Sequence, residues 1–293
     1  TIVFNGLMGG SAAILLIFMK SLRTLGLNRA SNLGGWIAKI IGPKMKVNKT
    51  AKRNISLAFP ETGEEEIKKI IIKMWENIGR TTFEYAFLDK FFCYSPKKNI
   101  TVNGEEILDS ILDSQKPAVF FSAHTANFEL LPLCISQKRK NKICEIYRSP
   151  NNPLVAKMIT NMRNKYICKQ VAKGSYGSKE LINLINQKYN VAVLVDQKLR
   201  EGIDVSLFNI KAKTSTMPAK LAIRHNYQIV PYWIERKEGA NFVITISPPF
   251  IEEHHGSQEE RIRKITEKIN GVLENQIRKH VPAWFWLHNR WSE

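Results

Sequence analysis

The chain has 293 residues, of which 44% are hydrophobic, 10% aromatic and 24% charged. That is enough for one large α/β domain or two smaller ones, and it excludes a disordered chain, a collagen-like fibre and a disulfide-stapled miniprotein. Forty-four Lys and Arg against 26 Asp and Glu leave a net charge of +18, which suits nucleic acid, anionic lipid or an acidic protein partner.

Ile2 to Met19 reads IVFNGLMGGSAAILLIFM, 18 residues without a charge. As a helix it would span roughly 27 Å, just enough for a hydrocarbon core of about 30 Å. No other stretch could span a bilayer, so a polytopic channel is excluded. Lys20, Arg23 and Arg29 follow at once, which puts the rest of the chain on the cytoplasmic side. The expectation is a membrane-anchoring helix. A buried or interfacial helix is the alternative, and a cleaved signal peptide would want a basic start and a clear small-residue cleavage site. Gly34 to Lys46, GGWIAKIIGPKMK, mixes Trp36 and aliphatics with Lys39, Lys44 and Lys46. It suits a helix lying at a membrane interface, and equally a solvated edge of an ordinary domain.

From Glu64 to about Phe92, Ile67, Ile70, Ile71, Met74, Trp75 and Ile78 recur at helical steps. Thr62 with Glu65 fits a capping box, and Glu64, Glu65 and Glu66 suit the helix dipole. After Pro117 the texture changes. Ala118–Ala123, Ile143–Tyr147, Val191–Val195, Ile229–Ile234 and Phe242–Ile246 read as strands. Phe128–Ile135, Pro153–Tyr166, Ser178–Gln187, Met217–His225 and Gln258–Lys279 read as helices. Strands alternating with helices predict an α/β layered fold with a largely parallel mixed sheet flanked by helices. The simplest partition is an N-terminal helical segment over residues 1–45 and one α/β domain over 46–293.

Cys93, Cys134, Cys144 and Cys168 form no CxxC pair and no repeated spacing, so no structural zinc site is expected and most read as small core residues. His254-His255 lies in a polar stretch, EEHHGSQEE, and reads as a loop.

The most informative segment is Ser122-Ala123-His124-Thr125-Ala126-Asn127-Phe128-Glu129. His124 falls where a buried strand ends, and Glu129 in the first turn of the next helix. Loops at the carboxyl ends of strands are where α/β sheets put their sites. A turn between the two elements would let the side chains meet. A carboxylate on one imidazole nitrogen fixes the tautomer, and the other nitrogen can then take a proton from a substrate hydroxyl. A lone histidine satisfied by hydrogen bonds at a strand end is the alternative.

The H-x4-E spacing after an apolar strand resembles the H-x4-D/E signature of the glycerolipid acyltransferase superfamily. More narrowly, His124 to Glu129 resembles the lipid A late acyltransferases, the lauroyl and myristoyl transferases of lipopolysaccharide assembly. Further blocks agree in order: Arg53-Asn54 with Phe59-Pro60-Glu61, Tyr147-Arg148 with Asn152-Pro153-Leu154, Leu194-Val195-Asp196-Gln197, Thr216 with Pro218-Ala219 and Leu221-Ala222, and Trp286-Leu287-His288-Asn289-Arg290-Trp291. The chain departs from the family's pattern at Leu207-Phe208-Asn209-Ile210-Lys211, a loop expected to shape the acyl or acceptor pocket, and at Ser149 before Pro150.

The resemblance implies a fatty acyl transfer from acyl carrier protein to a hydroxyl of a lipid A precursor, with no cofactor and no metal. His124 would be the general base and Glu129 would orient and charge-stabilise it. Arg148 would bind phosphate or the developing oxyanion, with a surface ion pair as the alternative. Asp196 and Gln197 would line the same cleft, although Asp196 could equally cap a helix or sit in a turn. Asn127 would position the loop, and Tyr147 belongs to the substrate-binding set. Arg290 and Trp291 read as structural or membrane-facing. The implied place is the cytoplasmic face of the inner membrane, beside an anionic surface. Competing readings are the same chemistry on another glycolipid or a lysophospholipid, a scaffold that keeps the fold, and a membrane-tethered nucleic-acid-binding protein. The last lacks any helix-turn-helix, zinc finger or RNP-type motif, so no nucleic acid is expected as a partner.

Overall fold

A computed structural model describes residues 12–138, 142–147, 153–164, 169–172, 175–250 and 255–291. In chain order the helices are α1 (Ala12–Leu25), α2 (Leu27–Ile41), α3 (Asn48–Ala58), α4 (Glu64–Glu84), α5 (Glu105–Asp113), α6 (Leu130–Lys138), α7 (Pro153–Arg163), α8 (Ser175–Asn186), α9 (Met217–His225) and α10 (Gln258–Lys279). The strands are β1 (Ile100–Asn103), β2 (Ala118–Ser122), β3 (Ile143–Tyr147), β4 (Lys169–Ala172), β5 (Asn190–Leu194), β6 (Ile203–Leu207), β7 (Ile210–Thr214), β8 (Gln228–Arg236) and β9 (Phe242–Ile246).

A seven-stranded sheet runs in the order β1-β9-β8-β2-β5-β3-β4, and every pairing in it is parallel except β8 with β9. The expected α/β class and largely parallel sheet are therefore present. The central strands are buried on both faces. Val119 and Phe121 of β2, with Val191 and Val193 of β5, join a core containing α3, α4, α9, α10 and the C-terminal tryptophans. Ala118 and Phe120, with Ala192, face a second core containing α5 and α6. Two covered faces explain why these strands read as unbroken apolar runs.

The helices at Met217–His225 and Gln258–Lys279 match the expected bounds. The helix from Glu64 ends at Glu84 and continues as a 3-10 turn over Tyr85–Lys90. Its N-cap is Gly63, without a side-chain cap, so the expected Thr62–Glu65 box does not form. Thr62 lies one residue too early, where its backbone N–H closes a turn on the Phe59 carbonyl. A capping box does form at α10, where Ser257 and Glu260 bond each other's backbone N–H at 3.3 and 2.7 Å. Leu207–Lys211 is no open loop. Phe208 and Asn209, at φ 56° and 59°, are the two-residue turn of the β6–β7 hairpin. Phe208 is drawn into an aromatic cluster with Phe59, Trp286 and Trp291.

Cys93, Cys134 and Cys144 are free and buried, and burial pushes the Cys144 thiol up to about 12. Cys168 and His254 lie outside the described residues, and His255 is exposed ahead of α10.

Most of the expected anchor, residues 2–11, also lies outside the described residues. Among the described residues no helix is long and apolar enough to cross a membrane. α1 instead continues through Lys20 and Arg23, and Arg23 forks onto Asp89 with two bonds of 2.7 Å. α2 crosses α4 where Gly34 meets Gly79, and a Cβ on either would run into the other's backbone. The opposite side of α2 exposes Leu33, Trp36, Ile40 and Ile41, next to exposed Met45 and Lys39, Lys44 and Lys46.

Candidate active site

β2 and β5 are neighbours, with Ser122 opposite Leu194. The ladder extends one step further through the Val195 N–H to the Ser122 carbonyl at 3.1 Å. His124 and Asp196 each lie two residues beyond that last pair, so the register alone puts them level at the carboxyl edge of the sheet. His124 Nδ1 is 2.8 Å from Asp196 Oδ1. Asp196 Oδ2 accepts from the His124 backbone N–H at 3.1 Å and from the Trp284 indole N–H at 2.7 Å.

Burial opposes the charge on Asp196, but the His124 ring, the Trp284 N–H and the His124 backbone N–H outweigh it and hold the carboxyl well below the usual range. An ionised Asp196 only accepts hydrogen bonds, so Nδ1 carries a proton, and in the neutral imidazole the lone pair is then on Nε2. Nε2 lies 3.4 Å from the Gln197 side-chain nitrogen. The His124 side chain is 21% exposed and that of Asp196 only 2%. The imidazole is therefore partly open to the outside while its carboxylate is not. Phe128 and Phe285 stand against the imidazole at centroid distances of 4.8 and 6.3 Å.

Glu129 does not reach His124, which corrects the expected pairing. Both of its oxygens are taken by Arg163, through Nε at 2.8 Å and a second, short bond from Nη2. A carboxylate this buried needs a charge partner, and the guanidinium fork supplies it with fixed geometry. Arg163 also reaches the Tyr85 hydroxyl and Gln170, each at 3.3 Å, and lies 3.8 Å from Glu145. Burial raises the Glu145 pKa, an effect the Glu129 charge adds to.

The expected site residues therefore divide. His124, Asp196 and Gln197 come together. Glu129 and Tyr147 both belong to the surroundings of Arg163, whose guanidinium sits 5.4 Å over the Tyr147 ring. The Tyr147 hydroxyl meets Thr160 Oγ1 at 3.2 Å. Asn127 donates to Glu84 at 2.8 Å. Arg148 lies outside the described residues. Among the described residues no group of three or more His, Cys, Asp or Glu is placed to hold a metal ion.

The C-terminal segment closes the site from one side. The Phe285 N–H bonds the His124 carbonyl at 3.0 Å, and the Ala126 N–H bonds the Ala283 carbonyl at 3.2 Å. The Asn54 amide ties that segment down by donating to the carbonyls of Trp286 at 2.8 Å and His288 at 2.6 Å. His288 Nε2 accepts from the Lys198 N–H at 2.9 Å, next to Gln197. Arg290 is buried and donates to the Lys213 carbonyl and Thr214 Oγ1, both at 2.6 Å, so it is structural. Trp284, Arg163 and Glu84 escaped the sequence reading. The only sequence signal for Trp284 was the crowding of tryptophans at 284–291.

A family profile described as bacterial lipid A biosynthesis acyltransferase matches residues 8–293. The chain is 22% identical over 267 residues to a lipid A biosynthesis acyltransferase of Haemophilus influenzae, covering 88% of this chain and 81% of that one. It is 23% identical over 257 residues to a lipid A biosynthesis lauroyltransferase of Escherichia coli, covering 83% and 78%. Among solved structures it is similar to a 1-acyl-sn-glycerophosphate acyltransferase of Thermotoga maritima, with 14% identity, a TM-score of 0.39, and 89% and 98% of the two chains covered. Because that profile matches nearly the whole chain, the chain belongs to the bacterial lipid A biosynthesis acyltransferase family.

Proposed function

We propose that this enzyme transfers a fatty acyl chain from acyl carrier protein to a hydroxyl of a lipid A precursor, with His124 as general base. One observation carries the mechanism: an imidazole, itself 21% exposed, whose Nδ1 is tied to a buried carboxylate. Nε2 takes the proton of the acceptor hydroxyl as its oxygen attacks the thioester carbonyl. Asp196 stabilises the imidazolium that forms. Collapse of the tetrahedral intermediate breaks the C–S bond, and the carrier thiolate leaves with the proton returned by His124. The products are the new ester and the free carrier thiol. Arg148 remains the proposed group for phosphate or oxyanion.

The place of the reaction follows from the substrates. The acceptor lives in an anionic bilayer and the donor rides on an acidic protein, and the net charge of +18 suits both. The exposed Trp36, Ile40 and Ile41 with Lys39, Lys44 and Lys46 support residues 1–45 as the membrane-facing segment, at the cytoplasmic face of the inner membrane. Residues 46–293 would then be the acyltransferase domain.

The test is transfer of labelled acyl chains from acyl carrier protein to tetra-acylated lipid A precursors in detergent, for the wild type and His124→Ala. Product from the wild type and a loss of about 10²-fold or more in the variant is expected. A fully active His124→Ala would sink the mechanism. Transfer to lysophospholipids but not to lipid A precursors would move the acceptor, and transfer from coenzyme A thioesters alone would move the donor.

A further inference from the structure

The loop that carries His124 makes a turn that its sequence does not favour. Ala126 sits at φ 45°, in the left-handed region where a Cβ is unfavourable by roughly 1–2 kcal/mol. Something must hold it, and one face of α4 does. Asn77 and Thr81 both donate to the Ala126 carbonyl, at 3.3 and 3.1 Å. One turn on, Glu84 accepts the Asn127 amide at 2.8 Å. The spacing 77, 81, 84 lines these side chains along one face of the helix.

Glu84 is fully buried, and its carboxylate is saturated. Oε1 takes the Ser31 hydroxyl at 2.6 Å and a short bond from Arg236 Nη1. Oε2 takes Asn127 and, at 3.0 Å, Arg236 Nη2. Arg236 in turn bonds Asn77 Oδ1 at 3.0 Å and Thr81 Oγ1 at 3.2 Å, which sets the other two clamp residues. A buried ion pair is a costly device, replaceable by apolar packing where only stability is needed.

We infer that Glu84, backed by Arg236, is a positioning residue for the reaction: through Asn127 it holds the strained 124–127 loop so that His124 faces Asp196. The inference rests on the reading of His124 as the base. Glu84 touches no reacting atom, and its effect passes through the loop geometry.

The experiment compares wild type, Glu84→Gln, Asn127→Leu and His124→Ala in the acyl-transfer assay and by nitrogen-15 spectroscopy of the histidine rings. Glu84→Gln and Asn127→Leu are each expected to lower kcat on the order of 10²-fold, as for a base displaced by about an ångström, with the acyl-donor KM near that of wild type. Both should broaden or move the His124 Nδ1–H signal, identified by its loss in His124→Ala. If Glu84→Gln fails to fold because Arg236 is left unpaired, Asn127→Leu keeps the ion pair and decides. A His124-dependent rate that Asn127→Leu leaves untouched, with the ring signal unmoved, overturns the positioning role alone. A wild-type rate in His124→Ala overturns the underlying reading instead.

Discussion

His124 and Asp196 face each other across two adjacent parallel strands, each two residues past the last paired position, Ser122 with Leu194. Seventy-two residues of chain separate them, and the sheet register removes that separation. Glu129, five residues from His124, is turned into the protein onto Arg163. The His124–Asp196 pair and the buried Glu129–Arg163 pair are thus two different structures, and substitutions should tell them apart.

Asp196→Asn should leave the fold intact and cost activity. The amide can donate to Nδ1 and so favours the wrong tautomer, for a loss of about 10³-fold in kcat. Steady-state rates on purified, folded protein measure it. A variant within a factor of a few of wild type would show that Asp196 does not orient the base.

Glu129→Gln should mainly cost stability. It leaves Arg163 buried without its main counter-charge, a loss of about 3–5 kcal/mol. Urea unfolding reads this directly. The double variant Glu129→Gln/Arg163→Met should recover part of the loss, because the unpaired guanidinium is gone while Glu145 loses its own counter-charge. If the double variant is no better than the single one, the pair is not what Glu129 contributes.

The depressed Asp196 pKa has a defined signature in acid. The folded-state value lies below the unfolded value of about 3.9, so the folded protein stays ionised where the unfolded chain takes up a proton. This contribution is fully present above about pH 4 and is lost as the pH falls through the folded pKa. The stability gap between wild type and Asp196→Asn should therefore be flat above that pH and shrink below it. Denaturant titrations across the acid range would show a constant gap if the shift were absent.

Gly79→Ala tests the packing of α2 on α4. The added methyl runs into the Gly34 backbone, which cannot move aside as a side-chain tip would. Overpacking of this kind costs about 1–3 kcal/mol. A thermal midpoint equal to that of wild type would mean that the two helices can separate at no cost.

The outer face of α2 makes a membrane prediction. Charge reversal of Lys39, Lys44 and Lys46 together with Trp36→Ser should weaken binding to anionic vesicles by about tenfold or more, and more so at low salt. Sedimentation with vesicles measures it. Equal binding by the variant would place the contact elsewhere on the protein.

Much of this molecule was legible in its residues. The apolar runs at Ala118–Ala123 and Val191–Val195 read as central strands because both of their faces are covered, and such runs need no knowledge of their neighbours. The helices at Met217–His225 and Gln258–Lys279 were equally plain from their periodicity. Short edge strands such as Ile100–Asn103 and Lys169–Ala172 were missed, because four residues carry too little pattern and owe their conformation to the strand beside them.

The site divides in the same way. His124 at a strand end was a local fact. Its partner was not: along the chain Glu129 is near and Asp196 far, and nothing in the spacing says that a left-handed residue at Ala126 turns the loop between them. Parallel pairing of β2 with β5 brings Asp196 to the imidazole, and a buried arginine from another helix captures Glu129. Local sequence selects strands, helices and the chemical types at their ends. Which of two carboxylates meets His124 depends on sheet register and on where a buried charge finds its opposite, and both are set by contacts between segments remote in the chain.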